Sequence, residues 1–295
     1  MAALFIVLLC VLVSMVAAMR VSRQAVLEPF VGGKALKVIS GINNFDAALV
    51  KNVVTAAVNG GASHVDIACD ASLVRLAKSV SGAMPVCVSS IAPADLVVAV
   101  EAGADMVEIG NFDGFYEQGM TFSAEDVVAM TVETRRLLPN VPLSVTVPHT
   151  LPLHEQVALA VQLQACGADI LQTEGKMGVN PASMGVQELI EKAAPTLASA
   201  FALSRAVTIP VMCASGLTDV TAPLALAAGA KGVGIGSMVN KLPKQQQMLL
   251  AVSAVAAAIG RDAAQPARRG SDNTAAASAN SVAQQANAAA TKASA

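Results

Sequence analysis

The chain has 295 residues, of which 54% are apolar, 14% charged and 3% aromatic, and its formal net charge is −2. Because 19 basic residues are offset by 21 acidic ones, the concentrated Lys/Arg surface that a phosphate backbone requires is missing, which excludes a general nucleic-acid partner. Beyond residue 19 no run approaches the ~20 uninterrupted apolar residues of a membrane helix, so no stable membrane association of the processed body is expected.

Residues 1–18 are apolar apart from Ser14 and close on Val16-Ala17-Ala18. They read as a signal-like targeting segment, with a short anchor as the alternative because no Lys or Arg precedes the run. Residues 19–33 carry Arg20 and Arg23 against one acid, Glu28. A signal followed by a basic, acid-poor stretch has the form of a two-step organelle presequence.

From Lys34 the pattern changes. Ala35-Leu36-Lys37-Val38-Ile39 is a first strand. Four units then repeat a Gly-Ala pair before a short β-branched run, at Gly61-Ala62, Gly103-Ala104, Gly167-Ala168 and Gly229-Ala230. Three strands opened by proline, at Pro85, Pro142 and Pro210, alternate with them. Helical patterns fill the gaps, among them Asp46–Asn59, Pro93–Ala102, Leu153–Ala165 and Asp219–Ala228. Eight strands each followed by a helix predict an α/β protein, a (β/α)8 TIM barrel, over residues 34–262, with an open doubly wound sheet as the alternative. The end, 263–295, holds Ala, Ser, Asn, Gln and Thr with no Leu, Ile or Phe. Such a segment buries too little to offset its ordering entropy and is expected to be a disordered tail.

Aligning the Gly-Ala units sets Val65, Val107, Leu171 and Val233 in one column toward the helices. Asp66, Glu108, Gln172 and Gly234 then face the barrel axis. On the other strands Lys37, Cys87, Ser144 and Met212 turn inward. Barrel interiors are normally apolar, and a buried charge without a partner costs several kcal/mol, so Lys37 must lie among the carboxylates or change its protonation state. The cluster is either a satisfied polar core or the floor of a small-molecule site in which Lys37, Asp66 and Glu108 are catalytic.

The strand ends add Asn43, Ser90 and Asn111 as ligand-binding candidates, and His149 and Glu174 as catalytic ones, at the face where barrel active sites lie. The loops 110–123 and 175–185 are the natural lids. His64, at the opposite face, reads as structural, and His154 as solvated. After the seventh and eighth strands, Ser215-Gly216 and Gly236-Ser237 offer backbone N–H groups to an anion, a phosphate-binding type of loop pair. The five cysteines show neither CxxC nor Cys/His ligand spacing, so no metal site and no disulfide framework is read, and buried reduced thiols are expected.

The string Lys37-Val38-Ile39-Ser40-Gly41-Ile42-Asn43-Asn44-Phe45-Asp46, with Val65-Asp66-Ile67-Ala68, Val86-Cys87-Val88-Ser89-Ser90, Glu108-Ile109-Gly110-Asn111-Phe112-Asp113 and Leu171-Gln172-Thr173-Glu174-Gly175, resembles the hypothetical chloroplast reading frame 23 family. That resemblance implies a TIM barrel of unassigned activity and a plastid protein, here with an algal presequence leading to the stroma. The loop 176–180 departs from the expected small hydroxyl residues. More remotely, Ala228 to Ser237 is similar to the last strand of the histidine-biosynthesis isomerase and of thiazole synthase. Three readings follow: an isomerase or lyase acting on a small phosphorylated metabolite, an FMN-binding oxidoreductase using the same phosphate grip, or a non-catalytic metabolite sensor. A homo-oligomer is compatible with each.

Overall fold

Eight parallel strands, hydrogen-bonded in sequence order, close into a barrel in the computed structural model, which describes residues 20–116, 118–175 and 181–261. They are β1 (Ala35–Ile39), β2 (His64–Ala68), β3 (Val86–Ser90), β4 (Met106–Ile109), β5 (Leu143–Val147), β6 (Ile170–Thr173), β7 (Val211–Ala214) and β8 (Gly232–Ile235). Helix α1 (Arg23–Val31) precedes the barrel; α2 (Ala47–Asn59), α3 (Ala71–Ser81) and α4 (Pro93–Glu101) follow the first three strands. A short α5 (Asp113–Tyr116) and then α6 (Ala124–Leu137) follow β4, while α7 (Leu153–Ala165), α8 (Val186–Ala206) and α9 (Ala222–Ala227) follow β5, β6 and β7. After β8 come α10 (Ser237–Asn240) and α11 (Gln245–Ala258). The signal-like run and the Ala-rich tail lie outside the described residues. Among the described residues, no helix is long and apolar enough to cross a membrane.

Local chemistry sets the helix starts. Asp46 accepts hydrogen bonds from the N–H groups of Ala48 and Leu49, and Ser123 with Asp126 forms a reciprocal capping box. Helix α9 begins at Ala222 rather than near Asp219, because Thr221 Oγ1 accepts the Thr218 N–H at 2.9 Å and holds 218–221 in a turn.

The strand columns face as the alternation predicts. Val65, Val107, Leu171 and Val233 pack in the layer shared with the helices. Inside, Ala35, Cys87, Met106, Ile170 and Met212 form an apolar layer at the N-terminal end of the barrel. Above it the register sets Lys37 beside Gly234, Glu108 beside Ser89 and Ser144, and Gln172 beside Thr146. Cys87 and Cys213 are buried, Cys69 and Cys166 half-buried, and all four are unbonded thiols.

Composition assigns 19–33 to a leader, but residues 21–33 belong to the folded body. Val26 and Phe30 of α1 are buried in the apolar layer that closes the barrel. The Val21 N–H donates to the Asp105 carboxylate at 2.6 Å, and Arg23 pairs with Asp169. The basic character that resembles a transit sequence therefore serves a contact with a strand-end carboxylate.

Helix α1 is also tied down by His64, whose Nε2–H donates to the Val26 carbonyl at 2.8 Å while Nδ1 accepts from Ser63 Oγ at 2.8 Å. Burial, with the Lys37 and Arg261 charges adding to it, pushes the imidazole down to about 4. An unfolded histidine titrates near 6.5. The folded state thus refuses a proton that the unfolded state takes, and stability present above about pH 6.5 is lost as pH falls toward about 4, up to about 3 kcal/mol. Urea denaturation at pH 7 and pH 4.5 should show a steeper acid loss in the wild type than in His64→Gln; parallel losses would remove His64 as the cause.

Candidate functional site

A cavity of about 590 Å³ opens at the C-terminal end of the barrel. Asn43, Asn111 and Glu174 line it from the ends of β1, β4 and β6, and Ser215, Gly216, Gly236 and Ser237 from the ends of β7 and β8, together with Ile39, Thr146 and Gln172. Strand ends from β1, β4, β5, β6, β7 and β8 thus meet here, as the barrel topology dictates.

Lys37, Asp66 and Glu108 do come together, but beneath this cavity rather than on its wall. All three are fully buried. Lys37 Nζ donates to Glu108 Oε2 at 2.5 Å. Asn111 Nδ2 reaches Asp66 Oδ2 (3.0 Å), Ser89 Oγ (2.8 Å) and Glu108 Oε1 (3.1 Å), sharing its two hydrogens among them. Gln172 Nε2 donates to Glu108 Oε1 at 2.8 Å. The two amides and Thr146 therefore form the cavity floor and are held from below by the ions.

Electrostatics fixes the protonation of this layer. Burial alone would lower Lys37, but the facing Glu108 and Asp66 outweigh it, and the ammonium is held protonated above its ordinary range. Burial raises Asp66 to about 6, with the Lys37 charge opposing and Glu108 adding to the rise. A lysine held as an ammonium is not an amine nucleophile, which disfavours Schiff-base chemistry here.

A second constellation sits at the cavity rim. His149 Nδ1 lies 3.1 Å from Glu174 Oε2 and 3.6 Å from Asp113 Oδ1. The Asp113 N–H donates to Glu174 Oε1 at 2.9 Å and the Tyr116 hydroxyl to Glu174 Oε2 at 2.8 Å. Burial and the neighbouring Glu174 raise Asp113 to about 8. Sequence reading finds His149 and Glu174 but misses Asp113 and Tyr116. The available signal was Asp113 two residues beyond Asn111, in the loop after β4 at the same strand-end level as the other two.

Of the remaining predicted residues, Asn43 donates to the Gly114 carbonyl at 3.1 Å from the cavity wall. Ser90 is not brought to the cavity; its Oγ accepts the Ala92 N–H at 3.0 Å and shapes the turn after β3. His64 lies at the barrel's far end, and His154 is solvent-exposed. The 110–123 loop contributes α5, whereas 176–180 of the other lid lies outside the described residues. After β7, Ser215 and Gly216 both adopt positive φ, 78° and 70°. A Cβ at Gly216 would meet the Lys192 carbonyl oxygen at 2.5 Å, so this backbone approach needs glycine.

The family model described as "Protein of unknown function (DUF561)" matches residues 21–265. The "Uncharacterized protein ycf23" of Cyanophora paradoxa is 44% identical over 216 residues, covering 73% of this chain and 88% of the relative. That of Porphyra purpurea is 39% identical over 225 residues, covering 76% and 84%. These relatives imply a plastid origin. Solved structures share the fold at low identity. A thiamine phosphate pyrophosphorylase from Pyrococcus furiosus superimposes with a TM-score of 0.52 at 17% identity, over 77% of this chain and 96% of that one. A 3-hexulose-6-phosphate synthase gives 0.55 at 16%, over 76% and 99%. The (S)-3-O-geranylgeranylglyceryl phosphate synthase from Thermoplasma acidophilum, in complex with sn-glycerol-1-phosphate, gives 0.55 at 14%, over 82% and 99%.

Proposed function

The chain belongs to the DUF561 family, that of the algal ycf23 proteins, and from its cavity we propose that it binds a small phosphorylated metabolite and acts on it as an isomerase or lyase. The observation that carries this reading is that one cavity is lined by two kinds of group. After β7 and β8 the Ser215-Gly216 and Gly236-Ser237 backbones line it and offer N–H groups to a phosphate. Asn111, Gln172 and Glu174, from the ends of β4 and β6, present amide and carboxylate groups to the rest of the ligand. The phosphorylated substrate or phosphate named for several fold neighbours supports the anion assignment.

The chemistry fits acid–base catalysis better than covalent catalysis. Glu174 and His149 stand at the rim to move a proton, whereas Lys37 stays charged and acts through the amides that Glu108 and Asp66 hold. Loss of the proton-moving step with retained ligand binding is the expected phenotype of Glu174→Gln.

Thermal-shift titration of the full chain with phosphorylated sugars and with FMN tests the anion assignment. A ligand at a hundredfold excess over Kd stabilises by about 2.7 kcal/mol. Ser237→Asp sets a carboxylate against the phosphate and should weaken binding by at least about tenfold, since like charges brought together cost more than the ~1.4 kcal/mol that factor represents. Undiminished stabilisation of Ser237→Asp would overturn the phosphate reading. The plastid stroma is the compartment we propose, reached through an N-terminal presequence; a fluorescent fusion of the full chain should co-localise with chlorophyll.

A further inference from the structure

Three side chains from three successive strand ends converge at the rim of the cavity. Asp113 comes from the start of α5 after β4, His149 from the loop after β5, and Glu174 from the residue following β6. One ligand atom from each lies within 4.8 Å of the other two. A divalent ion bonded at ~2.1 Å to imidazole nitrogen and carboxylate oxygen separates its donors by about 3.0 Å in an octahedral site and about 3.4 Å in a tetrahedral one. The His149 separations of 3.1 and 3.6 Å lie close to those values.

The surroundings are those of a site whose donors are held in place. Asp113 Oδ1 is buried and accepts no hydrogen bond. Among the described residues no Lys or Arg pairs with Asp113 or Glu174, so two carboxylates face each other across one imidazole. Glu174 is oriented by the Tyr116 hydroxyl and the Asp113 N–H, and the Tyr116 ring stands edge-on to the imidazole at 4.9 Å. Outer groups that fix a ligand's orientation in this way are the usual companions of metal sites. Asp113 and Glu174 also line the cavity, so coordination positions not taken by protein open toward a ligand.

We propose that Asp113, His149 and Glu174 bind a divalent first-row transition-metal ion whose open positions face the cavity. One imidazole with two carboxylates suits Mn²⁺, Fe²⁺, Co²⁺ or Zn²⁺ rather than a soft monovalent ion, because no thiolate contributes, and rather than Ca²⁺, which takes oxygen donors. The ion would offer a Lewis-acid contact to a ligand hydroxyl or carbonyl oxygen in the cavity that the glycine backbone after β7 and β8 also lines. This inference does not depend on the phosphate reading, since neither glycine loop contributes a donor, but it replaces the proton-moving role of His149 and Glu174, which with the ion bound act as its ligands.

The test uses the full chain, dialysed against EDTA, desalted, and titrated with Mn²⁺ alone in phosphate-free buffer while free Mn²⁺ is followed by electron paramagnetic resonance. Uptake of about one equivalent per chain is expected, weakened at least about tenfold in His149→Ala and in Asp113→Asn. Tyr116→Phe removes only a hydroxyl that orients Glu174, and it should weaken uptake by a similar or smaller factor should the ligand variants fail to fold. Co²⁺ gives an independent readout, because imidazole ligation produces visible absorption that His149→Ala should abolish. Failure of the wild type to take up either ion at millimolar concentration overturns the proposal. Wild-type affinity in all the folded variants overturns it equally.

Discussion

Lys37→Met is expected to destabilise the barrel by about 3–5 kcal/mol, the cost of leaving a buried carboxylate without its counter-ion. The methionine fits the volume, so packing contributes little. What is lost is the ammonium that faces Glu108 at 2.5 Å and also lowers the Asp66 carboxyl. The direction with pH follows. Asp66 already sits at about 6, above its ordinary range, and without Lys37 it rises further. A carboxyl raised in the folded state takes up a proton before the unfolded one does, so stability is recovered as pH falls through the folded value. The deficit of Lys37→Met relative to wild type should therefore be larger at pH 8 than at pH 5, measured by urea unfolding. Adding Glu108→Gln should restore part of the loss, as removal of both partners spares the orphaned charge. Equal deficits in the single and double variants would show that the pair is not what matters. In the same variant, ligand affinity should fall, because Asn111 and Gln172 lose the fixed carboxylates that orient their amides.

The repeated Gly-Ala units made the strands and their inward columns legible, because a period of two fixes which residues share a face once one strand is registered. The same period sets Lys37, Asp66, Glu108 and Gln172 on the axis from sequence alone. Their depth was not legible. Whether an inward residue touches ligand or lies under a floor depends on barrel shear and on the loop that covers it, and it is Asn111, at the end of β4 with φ 59°, that folds over the ions and seals them. Asp113 and Tyr116 were missed for a related reason: they enter the site only because α5 returns the chain to the rim. Helix α1 was misassigned because its sequence signal is compositional, and a nine-residue helix carrying only two buried side chains, Val26 and Phe30, leaves a weak periodicity.

Gly110→Ala, at the turn that creates this floor, should cost about 3–5 kcal/mol and lower ligand affinity with it. Two independent penalties meet at this residue. Its φ of 141° lies where L side chains are strained, worth about 1–3 kcal/mol. A Cβ would also stand 2.1 Å from Thr146 Oγ1, 2.2 Å from Thr146 Cβ and 3.2 Å from Thr146 Cα, an overlap that only movement of β5 relieves, at about 1–3 kcal/mol. That movement would disturb the Asn111 N–H contact to Thr146 Oγ1 at 3.3 Å and hence the amide that bridges Asp66 and Glu108. Gly119, in the same loop, has φ 78° but no atom within 4 Å of its Cβ position. Gly119→Ala should therefore cost only the backbone share, about 1–2 kcal/mol, and leave binding unchanged. In a Thr146→Gly background the added cost of Gly110→Ala should drop toward that share as well, since the overlapping side chain is gone. Denaturant unfolding of the four variants closes the cycle, and additivity between positions 110 and 146 would show that the close approach of β4 and β5 does not set the cavity floor.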